Sequence, residues 1–478
     1  MRFYSTRSRQ LTATASQAIL GGLAPDGGLY VPEYLPSIDF SSWQADSYQE
    51  MATKLFGLFL TDFSASAIQR TVEVSYGANF DDPRITPLHR LDENHSVLEL
   101  WHGPTLAFKD LALQCLPHLF TEARQIQKQE GRFLILTATS GDTGKAAMAG
   151  FSGQKDALVA VFYPDRGVSP LQERQMLTDP HSNVAAYAVE GNFDDCQRAI
   201  KSLMQDEAFI DQLKRQGIGL SSANSINVGR LLPQMVYYIY AYFNAVQQYG
   251  DPLSVVVPSG NLGNILAARY VKEMGLPLAD IRLASNSNKV LYDFISTGIY
   301  DARRDLMTTS SPSMDILVAS NMERYLHLLS GDGALIDDLM RQLKEEGVFR
   351  FDAALLDLEA SWASEDQVMS TIREVYETYG YLIDPHTAVA IHAREQSGSP
   401  LLIAGTASPY KFAESVLAAL GRDCPPDLEE QIRAIQELLN APLPPGMKDL
   451  LDGRPREKHL ISTSAIPAAI DQLIGANP

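Results

Sequence analysis

The chain has 478 residues, 45% of them hydrophobic, and a formal net charge of -19. That length suggests two or three domains with large cores, and the acidic balance argues against nucleic acid or an anionic membrane surface as a partner. Three cysteines, Cys115, Cys196 and Cys424, give no paired framework and fit a reducing compartment. The opening residues Met1-Arg2-Phe3-Tyr4-Ser5-Thr6-Arg7 lack an apolar signal core, and no apolar run is long enough to span a membrane. The expected setting is the cytoplasm.

Residues 1–95 read as a small α+β domain. Asp26-Gly27-Gly28 is a turn into an extended segment at Tyr30-Val31-Pro32. A helical pattern follows around 48–60, then short strand-like runs at 72–74, 88–91 and 97–100. A helix is expected to run from Asp110 through Leu111, Leu113, Leu116 and Leu119. Beyond it, apolar runs at 133–136, 157–162, 184–189, 253–257 and 401–404 alternate with helical patterns at 144–150, 170–177, 193–204, 264–274 and 412–420. Unbroken apolar strands between helices imply an α/β fold with parallel sheets covered on both faces. Ligands in such folds bind beyond the carboxyl ends of strands. Residues 96–425 form this α/β region, with a charge-rich helical insertion at about 300–380. Residues 426–478 are a C-terminal segment with a proline-rich stretch at 442–445.

One lysine carries the chemistry. Lys109 closes the run His102-Gly103-Pro104-Thr105-Leu106-Ala107-Phe108 and precedes Asp110. Apolar neighbours desolvate its ammonium and favour the free amine, the form that makes a Schiff base with an aldehyde. Ser140-Gly141-Asp142-Thr143-Gly144-Lys145 is not a nucleotide P-loop. Thr139 stands where the first glycine belongs, and Ala146 replaces the magnesium-binding hydroxyl. It reads equally as an ordinary turn or as a helix N-terminus that binds an anion. Ser259-Gly260-Asn261-Leu262-Gly263-Asn264 is a second glycine-rich turn after an apolar strand, suited to a phosphate. A lysine for an aldehyde beside a phosphate cradle points to pyridoxal 5'-phosphate.

Other segments read more plainly. Arg230, in Asn224-Ser225-Ile226-Asn227-Val228-Gly229-Arg230, could grip a phosphate or carboxylate, yet a cap with a surface arginine is the simpler reading. Thr406 ends the last apolar strand, where its hydroxyl could meet a ring nitrogen. Asp384-Pro385-His386-Thr387 reads as a helix cap. His102 is at least as fit for an orienting role as for a catalytic base. No metal-ligand spacing is present, and no metal is expected.

Taken in order, these segments resemble the threonine synthase family, in its long form with an N-terminal domain. The shared features are the run 102–110, the segments 137–144, 225–230 and 258–264, Met314-Asp315 with Ser320-Asn321, the run 384–390, and Gly27-Gly28-Leu29-Tyr30-Val31-Pro32. The resemblance implies the tryptophan synthase β-like fold of pyridoxal-phosphate enzymes (fold type II). It implies conversion of O-phospho-L-homoserine and water to L-threonine and phosphate; a monomer or homodimer is expected, and the sequence does not fix which. By the same resemblance Lys109 forms the Schiff base and shuttles protons. Ser259, Gly260, Asn261, Leu262, Gly263 and Asn264 hold the cofactor phosphate, Asp142 faces the ring oxygen, and Thr406 faces the pyridine nitrogen. Thr105, Ser140, Gly141 and Thr143 serve the substrate, and Asn227 and Arg230 its phosphate. Ser408 departs from the histidine expected after Thr406-Ala407. Two rival readings are a phospho-lyase that yields a keto acid and a decayed enzyme that only binds anions.

Overall fold

The apolar runs lie in two mostly parallel sheets in a computed structural model that describes residues 1–394 and 400–477. The first sheet has six strands, ordered Glu359–Trp362, Leu278–Ser285, Leu253–Pro258, Leu401–Gly405, His95–Glu99 and Leu88–Arg90. Only its last pair is antiparallel. The second has five parallel strands, ordered Leu460–Ile461, Val184–Val189, Ala157–Pro164, Arg132–Ala138 and Ile218–Ser222. The central strands of both are buried along their whole length, as strands covered on two faces must be.

The helices start where the sequence supplies caps. Ser169 and Asn192 each close a capping box, with Gln172 and Asp195 as reciprocal partners. Three local expectations are corrected. Residues 72–74 are not a strand but part of the helix Ala65–Ser75, capped by Ser64. Ile68, Thr71, Val72 and Ser75 are buried at helical spacing, which overrides a three-residue alternation. The helix after Lys109 breaks into Asp110–Leu113 and Leu116–Gln127, the second carrying Pro117 in its first turn, where a missing N–H leaves nothing unpaired. Residues 300–380 are not a purely helical insertion. They hold Gly333–Glu346 and Glu365–Tyr379, but Glu359–Trp362 also extends the six-stranded sheet.

The N-terminal residues form a three-stranded antiparallel sheet, with Phe3–Ser5 between Thr12–Ala13 and Tyr30–Pro32. Arg324 ties this sheet to the loops of the α/β region. Its fully buried guanidinium donates to the carbonyls of Tyr30 (3.0 Å), Ser225 (3.2 Å) and Ile226 (2.6 Å) and to Asn321 Oδ1 (2.6 Å). The C-terminal residues also join a sheet, since Leu460–Ile461 pairs with Ala188 and Val189.

One close approach sets the site's geometry. The helices Asp142–Phe151 and Asp110–Leu113 meet at Gly150, where an added Cβ would lie 2.0 Å from the Leu113 carbonyl oxygen. The turn before one helix is thereby held against the lysine before the other. Gly150→Ala must move backbone, and overpacking of this kind costs about 1–3 kcal/mol. The expected outcome is a lower urea midpoint of unfolding, measured by tryptophan fluorescence.

Candidate active site

Lys109 is pinned by backbone between the two sheets. Phe108 N–H donates to the Thr406 carbonyl (2.8 Å), and Ser408 N–H donates to the Leu106 carbonyl (3.1 Å). Ala107 pairs with Ala407, so the lysine loop is stitched to the end of the strand Leu401–Gly405. Leu106 takes φ 61°, left-handed for a branched residue, and the stitching holds it there. On the other side Asp110 accepts from Thr105 N–H (2.8 Å) and Thr105 Oγ1 (2.7 Å). Burial raises Asp110 to about 6, against the pull of those hydrogen bonds.

The Lys109 amine donates to Ser313 Oγ at 3.4 Å and lies 3.7 Å from Asp142 Oδ2. Burial draws its pKa down to about 8; Asp142 opposes the shift, and Arg230 and Lys411 assist it. The free amine is therefore far more populated near neutral pH than for an exposed lysine, though still the minor form. Asp142 is the first residue of the helix Asp142–Phe151. It accepts from Lys411 Nζ (2.8 Å), Gln172 Nε2 (2.8 Å) and Ser313 Oγ (3.2 Å). Burial alone would raise its pKa, but Lys411 and Lys109 hold it well below the usual carboxylate range.

The turn 258–264 leads into the helix Gly263–Glu273 and borders the same cavity as Lys109. Gly260 runs so close to the loop carrying Ser313 that a Cβ would lie 2.6 Å from the Ser313 carbonyl oxygen. Leu262 has φ 60°, which turns the chain into the helix start. Asn264 Oδ1 accepts from the hydroxyls of Tyr237 (2.6 Å) and Tyr238 (2.5 Å). That fixes the amide, and its Nδ2 remains a buried donor without a partner. Backbone N–H groups at a helix start and a spare amide donor suit a phosphate. The residues present therefore fit an aldehyde cofactor with a phosphate tail.

Arg230 borders the same cavity. It is 3% exposed, donates from Nη1 to the Ala223 carbonyl (2.9 Å), and leaves Nε without a partner. Burial lowers its pKa to about 10, and among the described residues no carboxylate pairs with it. A buried cation in that position is poised for an anion from outside the chain.

The structure brings Lys109, Ser140, Thr143, Arg230, Ser259, Gly260, Asn261, Leu262, Gly263, Asn264 and Thr406 to one cavity. Four expected residues do not border it. Asn227 is buried and spends its amide on the carbonyls of Ile19 (2.9 Å) and Ser222 (3.4 Å) and on Gly229 N–H (2.9 Å). These bonds tie the N-terminal unit to the α/β region. Thr105 is buried and holds Asp110. Gly141, at φ 127°, leaves room that Gln172 fills. Asp142 reaches Lys109 from behind the cavity wall. Ser408 is likewise buried off the cavity, and its N–H holds the Leu106 carbonyl. His102 bridges Asp81 (2.5 Å) and Glu99 (2.8 Å) away from the site. Burial opposes its protonation, yet the two carboxylates raise it to about 9.

The chain is similar to known proteins along nearly its whole length. A model described as "Pyridoxal-phosphate dependent enzyme" matches residues 81–402, "Threonine synthase N terminus" matches 2–76, and "Threonine synthase, C-terminal" matches 387–474. Threonine synthase of Eremothecium gossypii is 38% identical over 461 residues, which cover 87% of this chain and 89% of that protein. The chain belongs to the threonine synthase family of pyridoxal-phosphate dependent enzymes. The crystal structure of PLP-bound threonine synthase from Brucella melitensis matches it with a TM-score of 0.87 at 34% identity, covering 99% of each chain. Threonine synthase-like 1 of Homo sapiens is 43% identical over 432 residues, or 85% of this chain, but the match spans only 58% of that longer protein.

The sequence does not single out Ser313 or Lys411, and it offers His386 only as part of a helix cap. Ser313 N–H donates to His386 Nε2 (3.2 Å), while His386 Nδ1 bonds Asp384 Oδ2 (2.6 Å). Those partners require a neutral ring with its proton on Nδ1. Asp384 is also the expected cap, accepting from the N–H groups of His386 and Thr387. The sequence signal for His386 was its place two residues after a capping aspartate. Nothing local marked Ser313 or Lys411.

Asn227→Ala tests the structural assignment. Loss of these buried hydrogen bonds is expected to cost about 1–3 kcal/mol of stability. The urea midpoint falls, while KM for the substrate at saturating cofactor stays within a few-fold of the parent.

Proposed function

We propose that the protein is a threonine synthase, converting O-phospho-L-homoserine and water to L-threonine and phosphate. The observation that carries this is convergence: one cavity holds a desolvated amine on Lys109, a phosphate-suited helix start at 259–264, and a buried arginine with no carboxylate partner among the described residues. The substrate carries a phosphate at one end and a carboxylate, beside its ammonium, at the other, and the chain is strongly acidic overall, so a local cationic site is needed to admit it. Pyridoxal phosphate, when bound, supplies the electron sink that acidifies the substrate carbons.

The chain's own residues do the rest. Lys109 would carry the aldehyde and, as a free amine, hold and move protons at the substrate carbons. The turn 259–264, with Asn264 Nδ2, would hold the cofactor phosphate. Thr406 would face the ring nitrogen with a neutral hydroxyl. Ser140, Thr143 and the start of the helix Asp142–Phe151 would receive the substrate carboxylate. Arg230 would bind the substrate phosphate and favour its departure as charge develops on it. The three free thiols support a reducing, cytoplasmic setting.

Identity is higher to a protein named threonine synthase-like 1 than to one named threonine synthase, which favours a second reading. In it, phosphate leaves without hydration of the carbon skeleton, and a keto acid and ammonia follow. Product analysis separates the two. Incubation with O-phosphohomoserine and pyridoxal phosphate is expected to give threonine in equal amount to phosphate. Phosphate with α-ketobutyrate would establish the lyase, and no phosphate would overturn both.

Arg230→Ala tests the phosphate contact. It is expected to leave the cofactor's visible spectrum in place and lower kcat/KM by about 100-fold, the scale for losing one charge-stabilising donor. Unchanged turnover would remove Arg230 from the site.

A further inference from the structure

Lys411 sits behind the cavity wall, in the turn Pro409–Phe412 that follows the strand Leu401–Gly405. Its side chain is fully buried. The ammonium lies 2.8 Å from Asp142 Oδ1, 2.8 Å from the Thr105 carbonyl and 3.0 Å from Gln175 Oε1. Its three hydrogens thus have three oxygen acceptors, a complete shell for a buried ammonium.

Lys109 shares the same carboxylate on worse terms. Its amine is 3.7 Å from Asp142 Oδ2, beyond hydrogen-bond distance, and that oxygen already accepts from Ser313 Oγ at 3.2 Å. One carboxylate therefore faces two ammonium groups unequally. The other groups around Lys109 do not compensate. Arg230, on the turn Val228–Arg230, adds positive charge. Asp110, the next residue, is held by Thr105, and His386 is a neutral ring bonded to Asp384.

We propose that Lys411 is a positioning residue that takes Asp142 as its permanent counter-ion, leaving Lys109 under-paired and its amine free to capture an aldehyde. The proposal rests on reading Lys109 as the cofactor lysine. If Asp142 belonged to Lys109 alone, the ammonium would be stabilised and capture would slow. Burial without Lys411 would give Lys109 that partner.

The test is competitive labelling of the cofactor-free protein with acetic anhydride across pH, with Lys109 followed by peptide mass spectrometry. Lys411→Met is expected to raise the midpoint of Lys109 labelling by about one pH unit, or about tenfold less free amine at neutral pH, the scale for a close charge. The rate of pyridoxal phosphate capture falls by the same factor. Lys411→Arg keeps the charge and is expected to stay near the parent. Lys411→Met combined with Asp142→Asn removes both ions, and its midpoint is expected at or below the parent's. An unchanged midpoint in a folded Lys411→Met protein overturns the proposal. If the single variant does not fold, a midpoint above the parent's in the double variant overturns it. Borohydride reduction of the loaded protein locates the cofactor lysine independently. A link at another lysine would sink the functional reading of Lys109 while leaving the labelling result to judge Lys411.

Discussion

A single buried carboxylate joins the carboxyl ends of the two sheets. Asp142 follows the strand Arg132–Ala138 of the five-stranded sheet, and Lys411 follows the strand Leu401–Gly405 of the six-stranded one. Gln172 and Ser313 reach the same carboxylate from two further segments. Burying an ion pair costs several kcal/mol of desolvation per ion, so it persists only with nearly complete hydrogen bonding. Both partners meet that condition. Asp142 also gains from its place in the first turn of a helix, where the positive end of the macrodipole favours a carboxylate.

Much of the remaining polar architecture serves to hold loops that have no regular structure. Arg324 reads four oxygens on three segments and, among the described residues, has no carboxylate ion-paired with it. Burial lowers its pKa to about 10, a penalty that the carbonyl dipoles offset. Through Asn321, which donates to the Asn261 carbonyl at 3.0 Å, the same cluster fixes the turn 258–264. The N-terminal sheet is therefore wired to the cavity's rim, and Asn227 adds a second wire to the helix Ala15–Gly21. Rigid loops of this kind keep donors aimed at a ligand without reorganisation when it arrives.

The charge distribution has a corresponding logic. A chain with a net charge of -19 repels small anions at long range. Lys109, Arg230 and Lys411 concentrate positive charge in one buried region, where the low dielectric makes each contact count for more. Lys411 is neutralised by Asp142, whereas Arg230 keeps its charge for the cavity. Three buried cations thus differ in pairing: Lys411 holds Asp142 at 2.8 Å, Lys109 lies 3.7 Å from the same carboxylate, and Arg230 donates to the Ala223 carbonyl.

The sequence by itself determined the parallel α/β architecture, because buried strands must be apolar along their whole length and the alternation with helices is periodic. It also determined the two glycine-rich turns and Lys109, since tight turns and close backbone approach demand glycine and a desolvated amine needs apolar neighbours. The helical periodicity of 65–75 was there too, but short windows hide it. Only the tertiary structure decided which polar residues face the cavity. Asn227 and Arg230 lie three residues apart on one turn, yet one is consumed by Ile19 and the other opens to the site. Lys411 and Ser313 meet Asp142 across separations of 269 and 171 residues. Such pairings are set by where whole elements pack, and no local pattern encodes the direction in which a buried side chain finds its partner.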